Sequence, residues 1–451
     1  MVETTKKLKS VHVFTFAFGA MIGWSWIFLT GAWIERAGTI GALLAIFGGG
    51  TLMLIIAMVY AELAAMFPKN GGEHVYTMEA FGPKISFICS WALLLGYMGV
   101  IAFEAVVFPF ILAHLFPILN VGHLWTFDGL DVYFGQVAIG IGTAVCITKI
   151  NVNGISLSAR LQIFASALIF IAFFLLLSGA AQSEASYAFP KIRDSFNLGV
   201  FSVLIMLPMM FVGFDVIAQT ANEIDLHPRL IGRLIIVSVT AAMLFYATAV
   251  FCVGLVLGDS VSLEEFPTAQ AAALGWGGRE GIRYLIIIGG IAGILTSWNG
   301  FLVGASRLVF EMSKDGQLPP WFVGGSPSKN SFSLDRVLWT LCAISCLAPW
   351  FGRSVLVWLV EAGSFGIVVA YFFVVLAFIK LRRTRPNAPR PYKLPYGMVY
   401  GVLALIASLF IAVLYLPGSP SALIWPEEWI IVIIWVVLGL LGFLQGRTER
   451  L

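Results

Sequence analysis

The sequence predicts an all-α membrane protein with twelve transmembrane helices, and its composition is the first observation that supports this fold class. Of the 451 residues, 59% are hydrophobic and 11% are charged, whereas a soluble domain carries about 25% charged residues. A soluble enzyme of this length could not bury so much apolar surface. The 14% of aromatic residues also suit a membrane protein, because Trp and Tyr collect at membrane interfaces.

The second observation is a series of apolar segments along the whole chain. A spanning helix needs about 20 predominantly apolar residues. The predicted spans are 11–35, 39–66, 86–117, 133–149, 158–180, 197–221, 232–257, 282–311, 335–351, 354–380, 398–416 and 428–446. With no long polar segment between them, residues 1–451 are predicted to form a single transmembrane domain.

The third observation is the distribution of positive charge. When the N-terminus is placed in the cytoplasm, most of the 27 lysine and arginine residues fall in segments on the cytoplasmic side, as the positive-inside rule requires. The sequence therefore predicts a multi-pass protein of the plasma membrane, the inner membrane in a bacterial cell. Both termini are expected in the cytoplasm.

Two of the predicted spans contain residues that oppose a continuous helix. Span one contains Gly-Ala-Met-Ile-Gly at 19–23, and span six contains Pro208 followed by Phe-Val-Gly-Phe-Asp at 211–215. Gly and Pro weaken a helix, and an acidic residue at membrane depth is costly. Interrupted spans at matching positions of two halves indicate a transporter binding site. Alternatively, these glycines serve only the close packing of helices.

The positions of the two breaks predict an internal symmetry. Breaks in the first and sixth spans imply inverted repeats of five helices each, over 11–180 and 197–380, followed by two accessory helices over 398–446. A broken helix exposes N–H groups on one half and carbonyl groups on the other. The N–H end attracts a carboxylate, and the carbonyl end attracts an ammonium group or a sodium ion.

Four groups of residues, in order along the chain, carry a family resemblance. The first is the break at 19–23. The second, at the end of span two, consists of residues 60–63, 67–68, 71–72, 76 and 81–82. The third, in span six, consists of residues 211–215, 223 and 228–229. The fourth, at the end of span eight, consists of residues 299–300, 306–307, 312, 314–316 and 318–319. Together with Arg-Pro-Tyr-Lys-Leu-Pro at 390–395, they resemble the amino acid–polyamine–organocation (APC) family.

This resemblance implies the fold of sodium-coupled neurotransmitter symporters and secondary active transport of amino acids or amines by alternating access. It also implies a substrate site at the breaks. The implied contacts are the backbone carbonyls of Met21, Met209 and Val212 with an ammonium group, and the N–H groups of Gly23, Trp24 and Ser25 with a carboxylate. Phe211 would cover the substrate, and Ala20, Ile22 and Gly213 belong to the same two breaks.

One residue departs from the family pattern. The family commonly has Gly-Ser-Gly or Gly-Thr-Gly after the first break, whereas this chain has Gly23, Trp24 and Ser25. The indole stands where a small residue usually leaves room for a carboxylate. Either the substrate is a small amino acid and Trp24 turns away, or the substrate is an amine or polyamine-type organocation without a carboxylate.

Acidic residues inside the spans are candidates for function. Glu104 lies in the middle of span three, and an intramembrane carboxylate is by default a functional hypothesis. It would pair with a substrate amine, hold a proton, or serve only as a structural hydrogen-bond acceptor. Asp215 follows the second break and either couples conformations or shapes the break. Glu62 and Glu223, near the inner ends, are expected to pair with Arg229 or Arg307.

The coupling ion is not set by the sequence. Some proton-coupled relatives carry a lysine in span five, and residues 162–168 contain none. In span eight, Gly293, Thr296 and Ser297 follow the spacing of a carbonyl and two hydroxyls on one helix face. With the carbonyls of Gly19 and Ile22, they would give a five-oxygen sodium site. Alternatively, the hydroxyls bond back to their own helix, and the coupling ion is a proton.

Other functional classes lack their expected features. A membrane enzyme would need a nucleophile–base pair or a metal cluster, and a channel would need a repeated selectivity element. A nutrient receptor built on a transporter fold would need a long cytoplasmic extension. We therefore predict a transporter and not an enzyme, with a small-molecule substrate and the lipid bilayer as partners. We expect no nucleic-acid partner and no cofactor other than the coupling ion.

Overall fold

The computed structural model describes residues 7–127, 129–183, 196–204, 206–258, 261, 266–319, 333–352, 354–419 and 422–448. These residues form sixteen α-helices and one β-hairpin. The helices are α1 (Ser10–Ile22), α2 (Ser25–Met66), α3 (Glu73–Phe81), α4 (Pro83–Leu115), α5 (Phe134–Val152), α6 (Ile155–Gln182), α7 (Phe196–Leu204), α8 (Leu207–Phe211), α9 (Val216–Gln219), α10 (Pro228–Leu257), α11 (Pro267–Gly275), α12 (Glu280–Lys314), α13 (Leu334–Ser345), α14 (Ser354–Thr384), α15 (Gly397–Leu414) and α16 (Glu427–Thr448). The strands are β1 (His123–Phe127) and β2 (Leu130–Tyr133).

Most of these helices suit a bilayer. Within the described residues, eleven helical segments are long and apolar enough to cross a membrane, and α1 is a shorter apolar helix. In a bilayer the backbone polar groups of a spanning segment must be satisfied internally, which a helix achieves. The chain is therefore a multi-pass membrane protein.

The longest helix, α2, is divided at Gly38. This residue has φ 69° and ψ 167°, which is not a helical conformation. The 42 residues of α2 would extend about 63 Å at 1.5 Å per residue, roughly twice the ~30 Å hydrocarbon core of a bilayer. The interruption falls between predicted spans one and two, at 35 and 39. The part of α2 before Gly38 thus corresponds to the second half of predicted span one.

The core is built around α1 and α12. Helix α12 packs against α1, α4 and α6, while α2 packs along α10 and α4 packs along α14. The side chains of Trp26, Trp33 and Trp298 are fully buried in this core. Helices α15 and α16 instead expose apolar side chains such as Ile406 and Leu440, as expected where a helix faces lipid tails.

The hairpin is an exception to the predicted all-α class. Strands β1 and β2 are antiparallel, with Phe127 opposite Leu130, and Gly129 has φ 74° between them. Trp125 stacks on Trp350 with ring centroids 5.9 Å apart. The hairpin therefore attaches the connection between α4 and α5 to the segment that follows α13.

Candidate binding site at two helix breaks

The two predicted breaks are present, and they touch each other. Helix α1 ends at Ile22 and α2 begins at Ser25, with Gly23 at φ 43°. After α8, Val212 has an extended backbone and Gly213 has φ 123°. A Cβ atom on Gly213 would lie 2.7 Å from the Cβ of Ala20 and 3.0 Å from its carbonyl carbon. Only glycine allows this approach, so the second break packs directly on the end of α1.

Helix α12 completes the contact around the first break. A Cβ atom on Gly293 would collide with the carbonyl group of Gly23. A Cβ atom on Gly23 itself would lie 3.8 Å from the hydroxyl of Ser297 and 3.9 Å from a carboxyl oxygen of Glu104. The break in α1 therefore faces both α12 and the mid-span carboxyl group of α4.

Glu104 has one satisfied oxygen and one unsatisfied oxygen. The Ser297 hydroxyl donates a hydrogen bond to Glu104 Oε1. Oε2 has no hydrogen-bond partner among the described residues, although Glu104 is only 2% exposed. Buried polar atoms in folded proteins nearly always have a partner, so a partnerless oxygen beside a broken helix marks a position that a ligand or a proton would satisfy.

Tyr246 of α10, which the sequence analysis did not single out, occupies part of the first break. Its hydroxyl donates to the carbonyl of Met21 at 2.7 Å and lies 3.2 Å from the carbonyl of Ile22. The hydroxyl of Ser25 is 2.9 Å from the hydroxyl oxygen of Tyr246. The Met21 carbonyl, predicted to face a substrate ammonium, thus already accepts one hydrogen bond, and only its second lone pair is free for a ligand.

The aromatic residues of the breaks are packed away from water. The ring of Trp24 lies against Gly290, one turn before Gly293 on α12, and meets Phe266 edge-on at 5.7 Å. Phe211 is fully buried and meets the ring of Tyr246 at 6.0 Å. The absence of a side chain at Gly290 makes room for the indole. Trp24 therefore packs on α12, which is the arrangement that the small-substrate alternative requires.

The proposed sodium ligands are only partly brought together. The Thr296 hydroxyl lies 2.9 Å from the carbonyl of Gly19 and 2.8 Å from that of Gly293. Ser297 instead bonds Glu104, and the Ile22 carbonyl lies beside Tyr246. Three of the five predicted oxygens therefore cluster. A sodium ion needs oxygen lone pairs, and here the single hydroxyl proton of Thr296 lies on the side of the two carbonyls. The O–H bond must rotate before the hydroxyl can offer a lone pair to a cation between them.

Gln162 of α6 lies beside the same cluster. Its side-chain Nε2 donates to the carbonyls of Thr15 and Thr296, each at 3.1 Å, and its Oε1 accepts from Asn299 at 2.8 Å. The amide therefore joins α1, α6 and α12. The sequence showed Gln162 only as the first residue of a stretch without lysine, and its long-range partners could not be read from the local pattern.

Asp215 belongs to the second break rather than to the substrate side of the first. Its carboxylate accepts from the backbone N–H of Gly213 at 2.8 Å and from the hydroxyl of Tyr97 on α4. Asp215 is fully buried. These bonds hold the non-helical turn in shape and tie it to α4.

Met209, on α8, is half-buried.

Two acidic residues are tied to arginines at the predicted cytoplasmic end. Glu223 forms a buried pair with Arg307, with 2.9 Å between Oε1 and Nε, as the sequence analysis expected. Glu62 pairs with Arg382 and Arg390 and not with Arg229 or Arg307. Arg382 lies in the last turn of α14 and Arg390 in the 390–395 segment, so this carboxylate fixes both to the end of α2.

The segment before α1 is paired with the chain that follows α9. Leu8 forms a parallel β-bridge with Ile224. The N–H groups of Lys7 and Leu8 donate to the carbonyl of Glu223 at 3.0 Å, and Asp225 N–H donates to the Leu8 carbonyl at 2.9 Å. The segment before α1 is therefore fixed to the chain between α9 and α10.

Comparison with known proteins identifies relatives over nearly the whole chain. The family model for amino acid permeases matches residues 8–439. A branched-chain amino acid permease of Bacillus subtilis is 25% identical over 460 residues, covering 98% of this chain and 94% of that protein. A methylthioribose transporter of the same organism is 23% identical and covers 99% and 94%.

An aspartate-proton symporter of Bacillus subtilis is 23% identical, covering 90% of this chain and 78% of that protein. The substrates for which these three relatives are named differ, so they do not fix the substrate of this chain. The match over nearly the whole sequence confirms the resemblance that the motifs indicated: the chain belongs to the amino acid permease family, within the APC group of transporters.

Proposed function

We propose that this protein is a secondary active transporter that carries an amino acid across the plasma membrane by alternating access, coupled to an ion. The observation that supports this most directly is the meeting of the two breaks. Gly213 packs on the backbone of Ala20, and Gly23 lies beside the carboxyl group of Glu104, whose other oxygen has no partner among the described residues. A break exposes backbone N–H groups on one half of a helix and carbonyl groups on the other, and such groups of opposite polarity in one buried place suit a zwitterion.

The proposal includes twelve spans, two five-helix inverted repeats and cytoplasmic termini. The division of α2 at Gly38 supports a twelfth crossing, because α1 and the first part of α2 together make one interrupted span. The breaks then fall in the first helix of each repeat, over 11–180 and 197–380. The arginine pairs of Glu62 and Glu223 support a cytoplasmic location for their end of the bundle.

Glu104 supports a second candidate, an amine or organocation without a carboxylate. A charged Glu104 would repel a substrate carboxylate at the N–H end of the first break, but it would attract an ammonium group. The amino acid alternative therefore requires Glu104 to be neutral when substrate binds. We favour the amino acid because Trp24 packs on Gly290 and leaves the N–H end of α2 available.

For the coupling ion, the structure supports a proton over sodium. The Thr296 hydroxyl lies within hydrogen-bond distance of the carbonyls of Gly19 and Gly293. The Gln162 amide donates to the neighbouring carbonyls of Thr15 and Thr296. Partly satisfied carboxyl groups, by contrast, lie in the bundle. Glu104 is one of them.

The experiment that tests the proposal is uptake into proteoliposomes. Purified protein would be reconstituted and offered a panel of labelled amino acids and amines, with Na⁺ and pH gradients imposed separately. We expect accumulation of an amino acid that follows the pH gradient and is unchanged when Na⁺ is replaced by choline. Accumulation of amines alone would favour the second candidate, and uptake of no panel member above protein-free liposomes would refute both.

A further inference from the structure

A second group of buried polar atoms, outside the candidate binding site, surrounds Glu73. This residue opens α3 and is fully buried. Gln219 Nε2 donates to Glu73 Oε2, whereas Oε1 has no hydrogen-bond partner among the described residues. The function proposed for the two helix breaks does not involve Glu73.

Several neighbours of Glu73 also lack partners within the part of the chain that the structure describes. They are the hydroxyls of Tyr60, Tyr76 and Tyr371 and the amide oxygen of Gln219. The ring of Tyr60 lies 6.4 Å from that of Tyr76 and 5.6 Å from that of Tyr371. Partnerless buried atoms are rare, so five of them together mark a buried polar cluster whose hydrogen bonding is incomplete. A proton on Glu73 Oε1 would let this oxygen donate a hydrogen bond within the cluster as well as accept one.

The charge balance around Glu73 leads to the same conclusion. Asp215 is a second buried carboxylate whose charge acts on Glu73, and neither residue takes part in any ion pair of the described residues. Asp215 accepts from Gly213 N–H and the Tyr97 hydroxyl, which suits its charged form. Burial and then the charge of Asp215 raise the pKa of the Glu73 carboxyl well above its usual value.

Among the described residues, no cation is found in the set of titratable groups that act on this carboxyl from the surrounding helices. Those groups are Tyr60, Tyr76, Cys89, Tyr97, Asp215 and Tyr371. The adjacent His74 is directed at Ser86, Ser90 and Asp315 instead. Glu311 of α12, which lies near Gly71, is paired with Lys314. The N-terminus of α3 contributes a favourable partial positive charge, which does not replace a full countercharge.

Glu73 also lies where the inner loop, residues 67–73, docks on α9. Gly71 N–H donates to the Gln219 carbonyl at 3.3 Å. A Cβ atom on Gly72 would lie 3.0 Å from the Cβ of Ala218 and 3.1 Å from Gln219 Nε2. Helix α9 directly follows the second break. The carboxyl group is therefore part of the contact between the inner loop and the helix that leaves the candidate binding site.

We propose that Glu73 is a proton-binding site that controls the docking of the inner loop on α9. In the docked arrangement the carboxyl holds a proton on Oε1. On undocking, the O–H bond breaks, the electron pair stays on the carboxylate, and the proton passes to water at the cytoplasmic face. A charged carboxylate is far more stable in water than buried without a cation, so deprotonation favours undocking. The inference rests on the proposed function in one respect: undocking is taken as a step that opens the site to the cytoplasm.

The docking part can be tested without any substrate. Hydrogen–deuterium exchange of α3 would be measured for wild-type protein and Glu73→Gln in lipid nanodiscs, and compared at each pH so that the intrinsic pH dependence of exchange cancels. Glutamine imitates the protonated carboxyl. We expect equal exchange at acidic pH and several-fold faster exchange in the wild type at alkaline pH. Glu79→Gln, on the same helix but half-exposed and paired with Arg385, should match the wild type throughout.

The proton itself is detected by infrared spectroscopy. The wild type should show a carboxylic acid C=O band that Glu73→Gln removes and Glu79→Gln leaves in place. Glu73→Asp keeps the acid and should shift the band, which provides a readout if the glutamine variant does not fold. An acid band unchanged in both Glu73 variants, or α3 exchange identical in wild type and Glu73→Gln at every pH, would overturn the proposal.

A transport measurement separates this inference from the proposed function. Counterflow of the amino acid panel, with no net gradient, should slow in wild-type liposomes as the internal pH falls and be slow at every internal pH in Glu73→Gln. Absence of counterflow in the wild type would refute the proposed function, while the infrared band would still decide the proton site. Wild-type counterflow that is retained in Glu73→Gln with its pH profile unchanged would refute the role of Glu73 alone.

Discussion

Replacing Glu104 by glutamine separates the two substrate classes. The substitution keeps the size of the side chain and its acceptor for the Ser297 hydroxyl, but it removes the ability to carry charge. Glu104 is 2% exposed, one of its oxygens is partnerless among the described residues, and a carboxyl oxygen lies 3.9 Å from the Cβ position of Gly23. A substrate bound at the first break would therefore meet this carboxyl directly.

The expected magnitude differs between the two substrates. An amine without a carboxylate needs a full countercharge, and leaving a buried ammonium without one costs about 3–5 kcal/mol, or roughly 10²–10³-fold in affinity. A zwitterion finds opposite partial charges at the helix ends and requires a neutral Glu104. For the amino acid we therefore expect Glu104→Gln to bind within about tenfold of the wild type, a difference of ~1.4 kcal/mol.

The pH dependence supplies the second readout. Deprotonation of Glu104 puts a negative charge beside the substrate carboxylate, so wild-type affinity for an amino acid should fall as the pH rises. Glutamine cannot deprotonate, and its affinity should stay constant. Isothermal titration calorimetry of the transported substrate, over a series of pH values, measures both effects. A loss of about a hundredfold at every pH would refute the amino acid assignment and establish the amine.

Three further predictions concern the breaks, the coupling ion and the inner end. Gly23→Leu should abolish uptake, because a side chain at φ 43° is strained and would point at Ser297 and Glu104. The control Gly258→Leu, at a similar φ of 51° but in open space, should transport normally. Uptake by a folded Gly23→Leu protein would refute the site. Thermal unfolding of the wild type should be the same in NaCl and choline chloride; a sodium-specific rise that Thr296→Ala with Ser297→Ala removes would instead establish the sodium site. Arg307→Met should lower the free energy of unfolding by about 3–5 kcal/mol, because it leaves the buried carboxylate of Glu223 without its partner. Arg385→Met, which breaks an exposed pair, should cost about 0–1 kcal/mol. Equal losses in denaturant unfolding would contradict the importance of burial.

The helix breaks could be predicted because their signal is local. Glycines in an apolar run conflict with a continuous helix, as at 19–23, and so does an acidic residue beside a glycine, as at 211–215. Both conflicts are visible without knowledge of any neighbour. The pairing of Glu223 with Arg307 could also be anticipated, since both residues lie near predicted inner ends. The family resemblance then supplied the order of the helices, which composition alone does not give.

The partners of buried polar residues could not be predicted in the same way. Tyr246 meets Met21 across 225 positions of sequence, and Gln219 meets Glu73 across 146. A polar side chain in or next to an apolar span indicates that it faces protein, but the partner depends on how helices pack. The hairpin was missed for another reason. Its two strands are short and lack the long apolar stretch by which the spans were assigned.

The hydrogen bonds of the buried polar groups bear on the choice of coupling ion. The carbonyls of Thr15, Gly19 and Thr296, which could attract a cation, receive neutral donors from Gln162 and Thr296. These bonds partly satisfy the carbonyls without any bound charge, so a sodium ion would compete with the donors already present. Glu104 and Glu73 each retain a partnerless oxygen among the described residues, and a proton bound there would make that oxygen a hydrogen-bond donor. This contrast between carbonyls that already accept hydrogen bonds and carboxyl oxygens that do not is the reason we propose a proton, and not sodium, as the coupling ion.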